Sequence, residues 1–339
     1  MKTMKAVVLR DVGNLEKLSY EDVEFPIPKP GEALVRIKAS ALNHRDWWIV
    51  QGLYAKIKVP VILGSDGCGE VVNVGHPNDQ HVIGKQVVIH PSLNWGDHPQ
   101  AQSKDFRILG MPDNGTLAEF VVAPVNNLIL RPDYLSDEEA GALPLGGLTA
   151  YRSLFVQGEL HKGETILITG IGGGVATLAM QMALAVGAKV LVTSSHEEKI
   201  LRAVKAGALL GVNYNDSDAF KRLAAAAEKY GGIDFVLDSA GGKGFGELLT
   251  LVKPGGRIVN FGATAGNPEL LDLRKIFWKQ ISLKGSTMGT HEDFENMIAL
   301  FETHKLKPVI DEVFLLKDFG KGFRRMKESA QFGKIVLKP

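Results

Sequence analysis

The chain of 339 residues has a single cysteine, Cys68. It therefore cannot close an internal disulfide or build a cysteine-rich zinc site. It also lacks net charge: 39 Lys and Arg against 38 Asp and Glu leave +1. With no basic tract either, the electrostatic footprint of nucleic-acid and anionic-membrane binders is missing. No apolar run reaches the roughly 18 residues that would cross a bilayer. The opening MKTMKAVVLRDVG enters a strand-like alternation at once, without an apolar h-region or cleavage site, so no secretory leader is expected. These absences predict a soluble cytoplasmic protein that binds neither nucleic acid nor membrane. Its length leaves room for two domains.

What is present changes character along the chain. The first third holds short Val/Ile/Ala-rich runs, KAVVLR, ALVRIKASAL, GEVVNVG, KQVVIHP and LAEFVVAP, broken by Gly, Pro and Asn. This pattern predicts a small, partly open barrel of antiparallel strands. FPIPKPGE has too much proline for a central strand and reads as a connection. From Ser136, a helix N-cap followed by acids, strands and helices alternate. Strands are expected at 165–169, 189–193, 211–213, 235–238, 257–261 and 282–286, with helices at 175–186, 196–206, 216–230 and 244–251. Such alternation implies a doubly wound parallel sheet with right-handed crossovers. After a helix near 293–303, two final strands, in KPVIDEVFLL and GKIVLKP, imply a return to the first domain.

The stretch ETILITGIGGGVATLAMQMALAVGAKVLVTSS is the most specific. A buried strand ends at Thr169, glycines follow, and a helix starts near Val175. Glycine permits a tight turn and close approach of amides to a diphosphate, and the helix start adds free N–H groups and a positive dipole end. A turn serving only strand–helix packing is the alternative, and the complete strand–turn–helix–strand unit favours a nucleotide site. The second strand ends in Thr193, Ser194 and Ser195 where NAD-binding folds carry an acid. Small hydroxyls followed by Lys199 suit the 2′-phosphate of NADP instead, although Lys199 also reads as a solvated helix charge.

These segments, with ALNHRDWWIVQGLY, PVILGSDGCGEVVNVG, LPLGGLTAYRSL and LKPGGRIVNFG, occur in an order and spacing that resembles the medium-chain dehydrogenase/reductase superfamily, specifically its zinc-independent quinone oxidoreductase-like branch. The resemblance covers nearly the whole chain. It implies a GroES-like catalytic domain over 1–126 and 290–339, a Rossmann NADP-binding domain over 127–289, and a homodimer or homotetramer. It also implies cofactor contacts from Thr149, Gly173, Gly174, Val175, Ser195, Lys199, Tyr214, Phe261, Gly262, Met288 and Lys334. Around the reacting groups it places Asn43, Tyr54, Thr149 and Trp48, with Tyr54 donating a proton or only orienting substrate. Trp48, like Trp47, reads equally well as core. Two positions depart from the family turn: Ile171, where a small residue is usual, and Ala176, where the last glycine is usual.

Zinc-dependent members carry a Gly-His-Glu ligand motif where this chain has Gly64-Ser65-Asp66, and Asn43-His44 where their first cysteine stands. Ser65 is a poor ligand, and the four-cysteine lobe is absent, so no metal is expected. His44, Asp46, Asp66 and Cys68 remain as conceivable improvised ligands or as ordinary structural groups. Without a Lewis acid, the implied activity is NADPH-dependent hydride transfer to a small electrophilic acceptor, a quinone or an α,β-unsaturated carbonyl. An alcohol dehydrogenase with an atypical metal site and a non-catalytic NADPH-binding protein are the competing readings.

Overall fold

The computed structural model describes residues 2–339. Its contacts fall into two units, one formed by the chain up to Leu148 with Gly289–Pro339, the other by Thr149–Met288. The first junction lies inside the helix Pro144–Tyr151, where the sequence reading set it at 126/127. The intervening helix Asp137–Gly141 sits on a first-unit strand so closely that a Cβ at Gly141 would come 2.7 Å from the Ala39 carbonyl oxygen.

In the first unit the longest strand is Glu32–Ala41, whose alternation buries Ala33, Val35, Ile37, Ala39 and Ala41 on one face. It pairs antiparallel with Asp66–Val74, in a register that sets Ala33 opposite Val74 and Ala41 opposite Asp66, and also with Phe120–Pro124. The sheet continues through Gln86–Ile89 to Leu128–Leu130 on one side. Val35, Ile37, Val71, Val87, Ile89 and Val121 fill its interior. Gly69 is needed where this ladder kinks, since a Cβ there would stand 2.0 Å from the Arg36 carbonyl oxygen. On the other side the returning chain adds Lys334–Lys338, antiparallel to Glu32–Ala41, then Ile310–Leu315. The last two strands run parallel to each other, unlike the antiparallel pairs formed by the first third of the chain. The cause is the helix Phe319–Lys327 between them, which carries the chain back to the starting end.

The second unit is a six-stranded, wholly parallel sheet in the order Leu210–Asn213, Lys189–Ser194, Thr165–Ile168, Ile233–Asp238, Val252–Asn260, Ser282–Gly285. Numbered along the chain this is 3-2-1-4-5-6, the doubly wound order with its switch point between the first and fourth strands. Three inner strands, Lys189–Ser194, Thr165–Ile168 and Ile233–Asp238, are buried on both faces, which is why TILI, VLVTS and FVLD read as near-continuous apolar runs. Leu167, Leu191, Val236 and Ile258 lie in one core with Leu223, Leu248 and Leu249 of the covering helices. Among the described residues, no helix is long and apolar enough to cross a membrane.

Candidate active site

Each unit carries one group of the residues singled out in the sequence. In the first unit they collect at the start of the helix His44–Val50. Asn43, its N-cap, gives its backbone N–H to Asp46 at 2.8 Å. Its side-chain Nδ2 donates to Asp66 Oδ2 at 2.9 Å. The ammonium of Lys334 donates to the same Asp66 oxygen at 2.8 Å, to Asn43 Oδ1 at 2.7 Å and to the Leu42 carbonyl at 2.9 Å. The other Asp66 oxygen accepts the Leu145 backbone N–H at 2.5 Å, in the first turn of the helix that carries Thr149. Asp66 and Lys334 are 0 % and 3 % exposed.

A second cation lies beside this pair. Arg45, buried, donates to Ser65 Oγ at 2.5 Å and to the carbonyls of Leu109 and Met111. Its guanidinium stands 5.2 Å from the ring centre of Tyr54, which is half-buried. Burial pushes the Asp46 carboxyl up, opposed by the Arg45 charge. Burial likewise pushes the His44 imidazole down. The two tryptophans divide: Trp47 is in the core, whereas Trp48 is half-buried and packs its ring 5.4 Å from that of His44.

The donor set does not fit a metal. Asp66 is filled by an ammonium and two N–H groups, and Ser65 by a guanidinium. Cys68 is sealed, its Sγ 3.0 Å from the Asp137 carbonyl and its thiol pushed up to about 12 by burial. Two fixed positive charges within hydrogen-bonding distance of the would-be ligands repel a divalent cation. Among the described residues, no group of three His, Cys, Asp or Glu could hold one.

In the second unit the strand Thr165–Ile168 runs into Gly170 and Gly172, both at positive φ (65° and 129°), and Gly173 caps the helix Gly174–Ala185. A Cβ on Gly173 would meet nothing nearer than 3.9 Å, so this face of the turn is open. Ile171 points inward, 1 % exposed, and its N–H bonds the Thr193 carbonyl at 2.8 Å. Its size therefore does not crowd that face. Ala176 is buried in the first turn of the helix Gly174–Ala185. Thr169 donates to Asp238 Oδ1 at 2.7 Å, and the other Asp238 oxygen accepts Gly241 N–H and Asn260 Nδ2 at 2.8 and 3.0 Å. Asn260 Nδ2 also holds the Gly262 carbonyl, next to Phe261.

At the end of the strand Lys189–Ser194 no carboxylate occupies the ribose position; Ser195 Oγ lies 2.8 Å from His196 Nδ1 instead. Tyr214 is 47 % exposed, and its N–H bonds the Ser194 carbonyl. Lys199 lies in the first turns of the helix Glu197–Lys205. The open glycine turn and the 12-residue helix beginning at it fit the diphosphate of a nicotinamide dinucleotide. Thr149 and Met288 are the end residues of this unit, both buried.

Lys334 departs from its expected role as a cofactor contact. All three of its donors are used inside the first unit. Arg45, Asp238 and His196 were not singled out in the sequence. An Arg-Asp pair inside NHRDWW and an acid closing the apolar run FVLD were the available signals.

Two family models match: an alcohol dehydrogenase GroES-like domain over residues 29–133 and a zinc-binding dehydrogenase domain over 174–303. A zinc-type alcohol dehydrogenase-like protein, YogA, of Leptosphaeria maculans is 34 % identical over 94 % of both chains. The chain belongs to the medium-chain dehydrogenase/reductase superfamily. Another relative is an acryloyl-coenzyme A reductase of Sulfurisphaera tokodaii, 31 % identical over 99 % of this chain and 100 % of that one. Among solved structures, the 2-octenoyl-CoA carboxylase reductase CinF in complex with NADP and 2-octenoyl-CoA superposes with a TM-score of 0.89. It is 26 % identical over 100 % of this chain and 88 % of its own. As a superfamily member the protein is an oxidoreductase, with the GroES-like and Rossmann folds described above.

Proposed function

We propose that the protein is an NADPH-dependent reductase that adds hydride to a quinone or an α,β-unsaturated carbonyl without a catalytic metal, acting in the cytoplasm. The observation that carries this reading is the pair of buried cations, Lys334 and Arg45, seated on Asp66 and Ser65 where a metal would need its ligands. Gly173, Gly174 and Val175 would hold the diphosphate, and Ser195, Lys199 and Tyr214 the adenosine phosphate; Phe261, Gly262, Thr149 and Met288 complete the cofactor side. When bound, the dihydronicotinamide supplies a hydride to the electron-poor carbon. The acceptor oxygen then gains negative charge and needs donors fixed in advance. Asn43 meets that need with a neutral amide N–H, and Tyr54 with a phenol beside the Arg45 charge. Trp48 offers a flat face to a conjugated acceptor.

Relatives named for acryloyl-CoA and 2-octenoyl-CoA chemistry support the enone side of this reading. The test is NADPH oxidation by the purified protein across a panel of enals, enones, enoyl thioesters and quinones, with chelator present throughout. Turnover of at least one class is expected. Turnover that needs added zinc, oxidation of simple alcohols in preference to reduction, or no turnover at all would overturn the reading.

The same reading includes a homodimer. The strand Ser282–Gly285 is an open edge of the sheet, and the segment just before it leaves Leu270, Leu273, Phe277 and Trp278 65–82 % exposed. An apolar stretch of this size beside an unpaired strand edge fits a second copy of the same surface.

A further inference from the structure

We propose that Lys334 and Asp66 are positioning residues that lock the side-chain amide of Asn43 in one orientation, so that a single N–H of fixed direction is left for the acceptor oxygen. This rests on the reductase reading above and names the group that sets its geometry.

The argument is one of donor and acceptor valence. An ammonium only donates, and an ionised carboxylate only accepts. Lys334 Nζ lies 2.7 Å from Asn43 Oδ1, so that atom must be the amide oxygen. Asp66 Oδ2 lies 2.9 Å from Asn43 Nδ2, so that atom must be the amide nitrogen. Turning the amide by 180° would set an NH2 against the ammonium and a carbonyl oxygen against the carboxylate, two repulsive contacts in place of two attractive ones. The amide orientation is therefore fixed by chemistry.

The pair has nothing left over for another task. Lys334 has three hydrogens and three acceptors: the Leu42 carbonyl, Asn43 and Asp66. Asp66 spends its second oxygen on the Leu145 N–H. Asn43 spends its oxygen on Lys334 and one N–H on Asp66, and its second Nδ2 hydrogen is the one donor of the cluster that remains. Because Lys334 and Asp66 are both shielded from water, the fields that hold the amide are not relaxed by solvent. A donor held still before the reaction costs no reorganisation when charge develops on the acceptor.

The test pairs a variant with a measurement on the wild-type protein. In the double variant Lys334→Met/Asp66→Asn both charges are gone, so no uncompensated charge is left buried, but nothing enforces the amide orientation. Its kcat with the best acceptor should fall at least tenfold, while its affinity for NADPH, followed by fluorescence titration, stays within twofold of wild type. In uniformly 15N-labelled wild-type protein, the Asn43 side-chain amide is assigned by its loss in Asn43→Asp. Its two hydrogens should exchange with solvent at rates differing at least tenfold. A wild-type kcat in a folded double variant, or equal exchange of the two hydrogens, overturns the proposal. The exchange measurement needs neither turnover nor a folded double variant. Failure of every acceptor thus removes the reductase reading and leaves the locked amide to be judged on its own.

Discussion

Thr169 donates its hydroxyl to Asp238 Oδ1 at 2.7 Å, joining the ends of the first and fourth strands across the switch point of the parallel sheet. The same carboxylate holds Gly241 N–H and Asn260 Nδ2. Three donors therefore converge on one buried acid beside the glycine turn.

Asp238→Asn should lower stability by about 1–3 kcal/mol, because an amide NH2 turned toward these donors leaves at least one buried N–H or O–H unpaired. Urea unfolding measures the loss. NADPH affinity should weaken along with it, since Asn260 also carries the Gly262 carbonyl.

Lys199→Ala should raise the KM for NADPH about tenfold or more and change kcat less than twofold, with NADH kinetics unaltered. This follows if the lysine meets the 2′-phosphate that Ser195 and the acid-free strand end leave room for. Initial-rate kinetics with both coenzymes decides it, and an unchanged KM for NADPH rejects the assignment.

Metal analysis of the purified protein should find less than a tenth of an equivalent of zinc, and dialysis against chelator should leave activity within experimental scatter. The reason is electrostatic: Lys334 and Arg45 already sit on the oxygens a divalent ion would need.

Stability should fall as pH drops from about 7 toward 4, and part of that fall traces to His90. The ring is 2 % exposed, with Nε2 3.2 Å from the Thr290 carbonyl, and it packs against His291 and Phe294. Burial, helped by His291, depresses it from the usual 6.5 to about 4. A base whose folded value is depressed takes up its proton more readily when unfolded. Its contribution is therefore complete above about 6.5 and is lost progressively between 6.5 and 4. Denaturation midpoints of wild type and His90→Asn, measured from pH 7.5 to 4.5, should converge toward the acid end of that window.

Trp278→Glu should convert a dimer to monomers without unfolding the chain, because Trp278 is 82 % exposed within one copy. Light scattering after size exclusion reports the mass. A monomeric wild type would refute the assembly.

The parallel sheet was readable in the sequence because its innermost strands are buried on both faces. VLVTS and FVLD announce themselves without knowledge of their neighbours, and the observed bounds fall within five residues of the expected ones. The barrel strands were also visible, but their pairing was not. The parallel match of Ile310–Leu315 with Lys334–Lys338 depends on a helix folding back between them. Within the candidate site, Asn43 and Trp48 were implied by the family resemblance of their shared segment, and Ser195 and Lys199 were suggested by hydroxyls and a cation where an acid is usual. The partnership of Lys334 with Asp66 spans 268 positions, and a lysine near a chain end gives no local sign of being buried. Arg45 was missed for a related reason: its partners are the carbonyls of Leu109 and Met111 and a serine hydroxyl, none of which marks the sequence.

The sealed Cys68 has a consequence for any catalyst handling conjugated carbonyls. Such compounds are soft electrophiles that alkylate thiolates, and the thiolate rather than the thiol is the reactive species. The chain owns one sulfhydryl, whose Sγ lies 3.0 Å from the Asp137 carbonyl and whose thiol is pushed up to about 12 by burial. A protein with this arrangement offers such electrophiles no thiolate near neutral pH.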